Sequence, residues 1–181
     1  MSKITITGGE YRGRRIADVP GKVRPAPARL RRALFDILGD IGGIAFIDLF
    51  AGSGAMGIEA LSRGAVPVTF VELEKKHCRA IAGNIIPLGI DNSKYEIICT
   101  DAMRWLREFE PAREAIVFAA PPYVQEIVRR VLAIFEENGK NAAERGLILI
   151  LQLPKRLLSE KTETIATRIH IISDDALLFW Q

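Results

Sequence analysis

Hydrophobic residues form short, almost uninterrupted runs along the centre of the chain, and stretches with helical spacing of apolar residues separate these runs. Runs of this kind are typical of parallel strands that helices cover on both faces. The pattern therefore predicts a sheet of alternating strands and helices. We place strands at residues 45–50, 66–72, 95–100, 115–119 and 147–152, and helices at 55–62, 75–88, around 105, and 125–137.

The N-terminal segment follows a different pattern. Residues 3–7 alternate between polar and apolar side chains, Gly8-Gly9 predicts a turn, and residues 11–16 return along the first segment. Such an arrangement indicates a small β-hairpin. Apolar residues with helical spacing then predict a helix over residues 28–38.

Two further strand candidates close the chain, at residues 165–172 and 176–180. The three residues between them are too few for a crossover helix, so these strands should pair antiparallel. The predicted fold is therefore α/β, with a doubly wound seven-stranded sheet, an antiparallel last strand and a small N-terminal β-hairpin extension.

The first predicted core strand runs into a turn with three glycines. Gly52, Gly54 and Gly57 form the pattern G-x-G-x-x-G, and helical spacing resumes directly after it. Glycine permits positive φ and close approach of a ligand, and a helix N-terminus presents unpaired N–H groups. The pattern alone is shared by several nucleotide-binding folds and by ordinary strand–turn–helix connections. Asp48 before the turn and Glu72 at the end of the next strand favour the nucleotide site.

Several chemically useful residues follow the ends of different strands. Asp48, Glu72, Asp101 and Pro121-Pro122-Tyr123 all occupy such positions, and in a doubly wound sheet they meet at one crevice. Glu72 can hold both hydroxyls of a ribose, Asp101 can accept from an adenine amino group, and Asp48 can attract a cation. Together they indicate an adenosine ligand that carries positive charge and lacks a pyrophosphate. S-adenosylmethionine fits that description.

Composition narrows the class of protein. A chain of 181 residues with 49% hydrophobic and 26% charged residues fits one globular domain. No apolar run reaches the ~20 residues that span a bilayer, and the first residues lack the apolar core of a signal peptide. The two cysteines, Cys78 and Cys99, provide neither a disulfide framework nor a zinc cluster. We expect a cytoplasmic protein without a metal site or membrane association, and a monomer because no extended apolar face is left over.

Charge is distributed unevenly along the chain. Residues 1–32 contain nine basic and two acidic side chains, a net charge of +7, whereas the remainder carries −4. A segment rich in arginine and poor in acids suits contacts to phosphates. A solvated basic face is the alternative interpretation. Because the segment adjoins a nucleotide-type site, we expect it to contact RNA or DNA.

Over essentially its whole length the chain resembles the RsmD-type bacterial 16S ribosomal RNA guanine-N2 methyltransferases. The resemblance is carried by ITITGGEYRGRR (4–15), VRP (23–25), ALFDIL (33–38), DLFAGSGAMGIEALSRGA (48–65), FVE (70–72), DA (101–102), PPY (121–123) and DDALLFW (174–180). It implies a seven-stranded class I methyltransferase sheet. It also implies methyl transfer from S-adenosylmethionine to the exocyclic amine of a guanine in 16S RNA or the assembled small subunit.

The resemblance also implies roles for individual residues and parts of the chain. Residues 1–40 would form an RNA-facing extension, and residues 41–181 the methyltransferase domain. The residues implied to bind the cofactor are Asp48, Ala51, Gly52, Gly54, Glu72, Asp101 and Ala102. The catalytic loop would be Ala120, Pro121, Pro122 and Tyr123. The RNA contacts would come from Arg12, Arg14, Arg15, Arg24 and Arg31.

One departure from the family falls on the catalytic loop. The family and its amino-methylating relatives carry Asp or Asn before Pro-Pro-Tyr, where this chain has Ala120. That side chain accepts a hydrogen of the guanine amine, whose delocalised lone pair makes it a poor nucleophile. By analogy with deletion of one transition-state hydrogen-bonding group, its absence costs about 10²–10³ in rate. Further departures are Ala26, Arg32 and Asp36, and Gln152 where an acid commonly ends the fifth strand.

Three alternatives to an active guanine-N2 methyltransferase remain open at this point. Ala120 is compatible with a relative that binds S-adenosylmethionine and RNA but has lost catalysis. An amino-methyltransferase acting on adenine in DNA or on a protein glutamine would use a similar loop. A nicotinamide dehydrogenase shares the glycine pattern, although Pro121-Pro122-Tyr123 has no role in hydride transfer.

Overall fold

A computed structural model of the chain describes residues 3–19, 26–110 and 114–181. Its centre is a seven-stranded sheet with the strand order β5-β4-β3-β6-β7-β9-β8. These strands are β3 (Ala45–Leu49), β4 (Val68–Glu72), β5 (Tyr95–Cys99), β6 (Ala115–Ala119), β7 (Leu147–Pro154), β8 (Arg168–Ile172) and β9 (Asp175–Trp180). The strands from β3 to β7 pair parallel, and β9 is antiparallel to both β7 and β8. The predicted sheet and its antiparallel last strand are confirmed.

Helices cover both faces of the sheet, as its apolar strands require. The helices are α1 (Ala28–Leu38), α2 (Ala55–Ser62), α3 (Lys75–Ile85), α4 (Ala102–Glu108), α5 (Gln125–Gly139) and α6 (Glu160–Ile165). The helices α1, α2 and α3 share one buried cluster with the sheet, and α4 and α5 share the cluster on the opposite face. No helix within the described ranges is long and apolar enough to cross a membrane.

Several element boundaries differ from the sequence prediction. The hairpin strands are shorter than expected, β1 (Lys3–Thr5) and β2 (Arg15–Ala17), because turns occupy residues 9–13 between them. The strand β4 begins after Pro67, which has no N–H to donate to the ladder. The strand expected over residues 165–172 begins only at Arg168, and the residues before it form the unpredicted helix α6, which begins with reciprocal hydrogen bonds between Ser159 and Thr162. A helix of one and a half turns carries too little periodicity to be recognised.

The hairpin is fixed to the C-terminal end of α2 by close backbone contact. Glu10 N–H donates to the Ser62 carbonyl at 2.7 Å, and the Ser62 hydroxyl donates to the Gly8 carbonyl at 2.6 Å. Gly9 has φ +73°, and a Cβ at this position would overlap the backbone of Ser62. The Gly8-Gly9 pair therefore makes the turn and also allows the hairpin to approach the helix.

A buried carboxylate joins the N-terminal segment to the sheet domain. Glu59 of α2 is fully buried and accepts hydrogen bonds from the Thr7 N–H at 2.8 Å and the Thr7 hydroxyl at 2.7 Å. Arg63 Nε lies 3.2 Å from the same carboxylate, and Arg31 Nε lies 3.6 Å from it. Since a buried charge is tolerated only when it is paired and hydrogen-bonded, this cluster orders the segment around it.

Arg31 was predicted to contact RNA, and its position contradicts that role. The residue is only 2% exposed, and its guanidinium donates to the carbonyls of Ala26 and Thr5, both at 2.6 Å. Burial lowers the pKa of Arg31, and the neighbouring Glu59 opposes that change. The guanidinium is committed to contacts within the protein, so it is not available to a phosphate.

We expect Thr7→Val to lower the free energy of unfolding by about 2 kcal/mol, because it removes a hydrogen bond to a buried charged acceptor. Thr5→Val is the matched control, since Thr5 is exposed at the end of β1, two residues before Thr7, and its substitution should change stability by less than about 0.5 kcal/mol. Urea denaturation of both variants measures the difference. Equal stabilities would show that the Thr7 hydroxyl adds nothing to the Glu59 cluster.

Candidate functional site

A crevice of about 380 Å³ opens along the carboxyl ends of the parallel strands. It brings together most of the residues predicted for the cofactor and the substrate. Those that line it are Asp48, Ala51, Gly52, Glu72, Asp101, Ala102, Ala120 and Pro122. Gly54 lies behind the wall as the N-cap of α2. Pro121 is buried next to the crevice, and Tyr123 is 40% exposed at its margin.

The backbone N–H groups of the glycine turn are already bonded to carboxylates. Gly52 N–H donates to Glu72 Oε2 at 2.8 Å, and Gly57 N–H donates to Asp48 Oδ2 at 2.8 Å. Gly54 adopts φ +77° and donates to the Ala51 carbonyl at 2.7 Å. A pyrophosphate site needs such amides to point at the ligand. This turn offers negative charge instead, so it favours a ligand that is cationic or rich in hydroxyl groups.

Asp48 is a buried carboxyl group on the crevice wall. Asp48 is 3% exposed, and this burial raises the pKa of its carboxyl group to about 8. The hydrogen bond from Gly57 opposes that rise, and the negative charge of Glu72 adds to it. A cation bound beside this group would stabilise its ionised form.

Glu72 is held in a fixed orientation by two backbone groups. Oε2 accepts from Gly52 and Oε1 accepts from the Glu74 N–H at 2.9 Å. Each carboxylate oxygen has a second acceptor position beyond these bonds. His77 Nδ1 lies 3.5 Å from Oε1, and both residues line the crevice. A carboxylate fixed in this way is suited to accept from two neighbouring hydroxyls of a ribose.

The crevice is strongly acidic. Among the described residues that line it are five acids and one lysine, Lys76. The acids are Asp18, Asp48, Glu72, Glu74 and Asp101. Even without Asp48, whose raised pKa leaves it largely protonated at pH 7 in the free protein, the four other carboxylates would repel a dinucleotide pyrophosphate and attract a cationic ligand.

The far wall of the crevice is formed by the start of α4. Asp101 is the N-cap of this helix, and its Oδ1 accepts from the Arg104 N–H at 2.8 Å. Ala102 and Met103 follow on the same wall. Phe50, which also lines the crevice, has φ +60°, a conformation that is rare for an aromatic residue. Such backbone strain occurs preferentially at ligand sites.

The predicted catalytic loop leaves the sheet between β6 and α5. Ala120 and Pro122 line the crevice, while Tyr123 lies outside it. The Val124 N–H donates to the Pro122 carbonyl at 2.7 Å, which closes a tight turn. The Tyr123 hydroxyl lies 3.5 Å from Nε2 of Gln152 on the neighbouring strand. The exposed tyrosine thus directly follows Pro122, the last residue of this loop that lines the crevice.

Sequence reasoning missed several residues of the crevice. Met56, His77 and Ile127 line it, as does the Asp18-Val19 segment after β2. The position of His77 five residues after Glu72, on the first turn of α3, is a signal that could have identified it. Met56 and Ile127 have no such signal, because apolar residues on a helix are normally part of the core.

Of the predicted RNA contacts, Arg12, Arg14 and Arg15 are exposed on the hairpin. Arg24 lies outside the described residues. A second cavity, of about 360 Å³, lies between the hairpin and the end of α3. Its lining includes Lys3, Arg14 and Arg15, and none of the described residues that line it carries a carboxylate. We name it the basic groove.

The basic groove and the crevice are neighbours along one strand. Arg15 and Ala17 of β2 line the groove, and Asp18, the next residue, lines the crevice. Asn84 of α3 fixes this strand by bonding both backbone groups of Ala17, and it also donates to the Ser53 carbonyl at 3.0 Å. A ligand along the groove would therefore reach the opening of the crevice.

Known proteins provide an independent comparison. The family model described as conserved hypothetical protein 95 matches residues 4–175. Ribosomal RNA small subunit methyltransferase D of Buchnera aphidicola subsp. Acyrthosiphon pisum is 37% identical over 158 residues, which cover 86% of this chain and 81% of that protein. The protein of the same name from Escherichia coli K12 is 34% identical, with 78% and 71% covered.

Two solved structures are similar to this chain over almost its whole length. Hypothetical protein TTHA0928 of Thermus thermophilus superimposes with a TM-score of 0.76 at 27% identity, covering 98% of this chain and 99% of that chain. The methyltransferase yhhF of Escherichia coli gives 0.72 at 25% identity, with 99% and 98% covered. The chain therefore belongs to the conserved hypothetical protein 95 family, the family of ribosomal RNA small subunit methyltransferase D.

Proposed function

We propose that this protein methylates the exocyclic N2 amine of a guanine in 16S ribosomal RNA, with S-adenosylmethionine as the methyl donor. The observation that carries the proposal is the crevice in which Asp48 and Glu72 bond the amides of the glycine turn while Ala120 and Pro122 form the adjoining wall. One cavity thus combines a site for a positively charged adenosine ligand with the loop that would face the substrate amine. The relatives named for small-subunit RNA supply the substrate class.

The described residues fit S-adenosylmethionine. Glu72 would accept from the two ribose hydroxyls, Asp101 would accept from the adenine amino group, and Asp48 would face the positively charged part of the ligand. Small residues leave room for the ligand or shape the backbone around it. These are Ala51, Gly52, Gly54 and Ala102. When bound, S-adenosylmethionine supplies an electrophilic methyl group on a sulfonium sulfur.

The substrate half of the site belongs to the Ala120–Tyr123 loop. Pro121 and Pro122 restrict the backbone of this loop and keep Ala120 extended. A target base that leaves its helix would stack on Tyr123, whose ring is 40% exposed at the margin of the crevice. Backbone carbonyls of the loop would accept hydrogens of the amine, and the released proton would pass to water.

The basic groove is the part of the surface that we assign to RNA phosphates. Replacing Lys3, Arg14 and Arg15 together by Gln should weaken binding of small-subunit RNA and lower the slope of log affinity against log salt by up to about 3. The loss should be similar for RNA of unrelated sequence. Filter binding across a salt series measures both quantities.

The matched control replaces Arg129, Arg130 and Lys140 by Gln, which removes the same charges from exposed positions on or directly after α5. That helix packs on the opposite face of the sheet from α3, which borders the basic groove. Equal losses in the two triple variants would mean that net charge, and not the groove, determines RNA binding.

Transfer of labelled methyl from S-adenosylmethionine tests the proposed function. Small ribosomal subunits lacking their guanine-N2 methylations are offered in parallel with large subunits, DNA and total protein. Incorporation into the small subunit alone is the expected result. Labelled DNA or protein would support an amino-methyltransferase with another substrate. Cofactor and RNA binding without transfer would indicate a relative that has lost catalysis.

A further inference from the structure

Gln152 is a buried polar residue that does not itself line the crevice but neighbours Ala120, which does. It lies on β7 and is 2% exposed. Its Nε2 lies 3.4 Å from Asp175 Oδ1 and 3.5 Å from the Tyr123 hydroxyl. Its Oε1 is buried and has no hydrogen-bond partner among the described residues. A buried acceptor without a partner costs about 1–3 kcal/mol, so it calls for an explanation.

The orientation of this amide follows from its partners. A carboxylate accepts hydrogen bonds and cannot donate them, so the NH₂ end of Gln152 must be the end that faces Asp175. The oxygen is consequently the atom that remains without a partner. The contacts of Nε2 with Asp175 and Tyr123 set the orientation of the whole amide group.

The register of the sheet places Gln152 beside Ala120. Ala119 of β6 pairs with Leu151 of β7 in parallel register, so Ala120 and Gln152 are the next residues along neighbouring strands. Adjacent strands lie about 4.8 Å apart. Ala120 packs against the core cluster that also contains Ile150, two residues before Gln152, so the two side chains share one face of the sheet. Ala120 lines the crevice and has no polar group to offer there.

We infer that the Gln152 amide oxygen accepts a hydrogen bond from the amine that this site methylates. This inference rests on the proposed function. Gln152 lies on the strand next to the small Ala120, and its Nε2 lies 3.5 Å from the hydroxyl of Tyr123, the ring on which the base would stack. An amide is too weak a base to take the proton. It accepts a hydrogen bond and directs the nitrogen lone pair away from the ring.

The reaction balances without a further reagent. The nitrogen lone pair forms the new N–C bond while the electron pair of the broken C–S bond remains on the sulfur of the leaving thioether. The amine then loses one proton to water. Gln152 is unchanged throughout, and its contribution is a hydrogen bond that strengthens as the nitrogen becomes positively charged.

Three variants test the inference. Gln152→Met keeps the length of the side chain and removes both polar groups, and we expect kcat for small subunits to fall about 10²-fold with an unchanged Kd for S-adenosylmethionine. Ala120→Asp in the wild-type background supplies a second acceptor, and we expect it to raise kcat by less than about 10-fold because one acceptor is already present. Adding Ala120→Asp to Gln152→Met should restore most of the lost rate. Gln181→Met, at the exposed C-terminus, is the control substitution.

A binding measurement without turnover complements the kinetics. Uridine hexamers that carry one guanosine or one inosine, which lacks the N2 amine, are titrated onto the protein with S-adenosylhomocysteine present. The wild type should prefer guanosine about 5-fold, the gain expected from one buried hydrogen bond. Gln152→Met should lose the preference, and Gln152→Met with Ala120→Asp should regain it. Thermal unfolding shows that each variant is folded.

The outcomes separate the inference from the proposed function. A wild type that transfers no methyl overturns both. An active wild type with an equally active Gln152→Met overturns only the role of Gln152. Loss of activity in Gln152→Met that Ala120→Asp does not restore also overturns it, because Gln152 would then act only by supporting Tyr123 and Asp175.

Discussion

Asp48→Asn should stabilise the ligand-free protein by about 4 kcal/mol at pH 7 and at the same time weaken its binding of S-adenosylmethionine. The wild-type carboxyl has its pKa raised from 3.8 to about 8 by burial. Below that pH the carboxyl must take up a proton when the protein folds, and this uptake works against folding. The amide keeps an oxygen for the Gly57 N–H and carries no charge.

The pH dependence of this stabilisation has a definite sign. A carboxyl whose pKa is raised from 3.8 in the folded state costs nothing where it is protonated in both states, which requires a pH of about 3 or below. The cost grows as pH rises and is constant above about pH 8. Urea denaturation should therefore show equal stabilities of Asp48→Asn and wild type at about pH 3 and a widening difference from there toward pH 8. Asp36→Asn, an exposed carboxyl on α1, should show no such divergence.

Ligand binding should respond to pH in the opposite direction. A cation beside Asp48 favours its ionised form, so affinity for S-adenosylmethionine should rise with pH between pH 5 and 7, approaching 10-fold per pH unit. The amino group of the ligand stays charged in this range. Glu72 and His77 also face this region, so the contribution of Asp48 is the part of the slope that Asp48→Asn removes. Methylthioadenosine, which carries no cationic group, is the ligand control.

Glu72→Ala should reduce the affinity for S-adenosylmethionine about 10³-fold. The substitution removes two hydrogen bonds from ribose hydroxyls to a charged acceptor, each worth roughly 1.5–3 kcal/mol. It also releases the N–H groups of Gly52 and Glu74, which the carboxylate holds in the free protein. Isothermal titration calorimetry measures the affinity directly.

Two controls separate ligand contact from support of the turn. Glu96→Ala removes a carboxylate from the neighbouring strand β5, where the side chain is exposed and does not line the crevice. Glu72→Gln keeps one acceptor for the turn and removes the charge. An unchanged affinity in Glu72→Ala would contradict the ribose site, whatever its effect on stability.

The sequence predicted the fold well because strands, helices and turns each have a local signature. The runs at β3 to β7 and the spacing of α1, α3 and α5 lie close to their observed bounds. The short helix α6 escaped recognition, since six residues cannot display a helical period. The convergence of Asp48, Glu72 and Asp101 followed from topology alone, because the carboxyl ends of parallel strands share one edge.

Other parts of the site depend on contacts that no linear pattern encodes. Arg31 looked like its exposed neighbours in the basic segment, yet it is buried against Glu59, which lies 28 residues further along the chain. The sequence also did not show that the glycine turn is closed to phosphate. The glycine pattern suggests free amides, whereas the amides of Gly52 and Gly57 donate to Glu72 and Asp48. Gln152 gave no signal beyond its identity until the register placed it next to Ala120.

The identity of the methylated nucleoside tests the central claim most directly. Small subunits treated with the protein and S-adenosylmethionine are digested to nucleosides, which are separated and identified by mass spectrometry. The proposed function predicts N2-methylguanosine at close to one copy per subunit, and its absence from subunits treated with Glu72→Ala. Methylation of another atom, such as N6 of adenine or a ring nitrogen of guanine, would contradict the assignment of this crevice to a guanine amine.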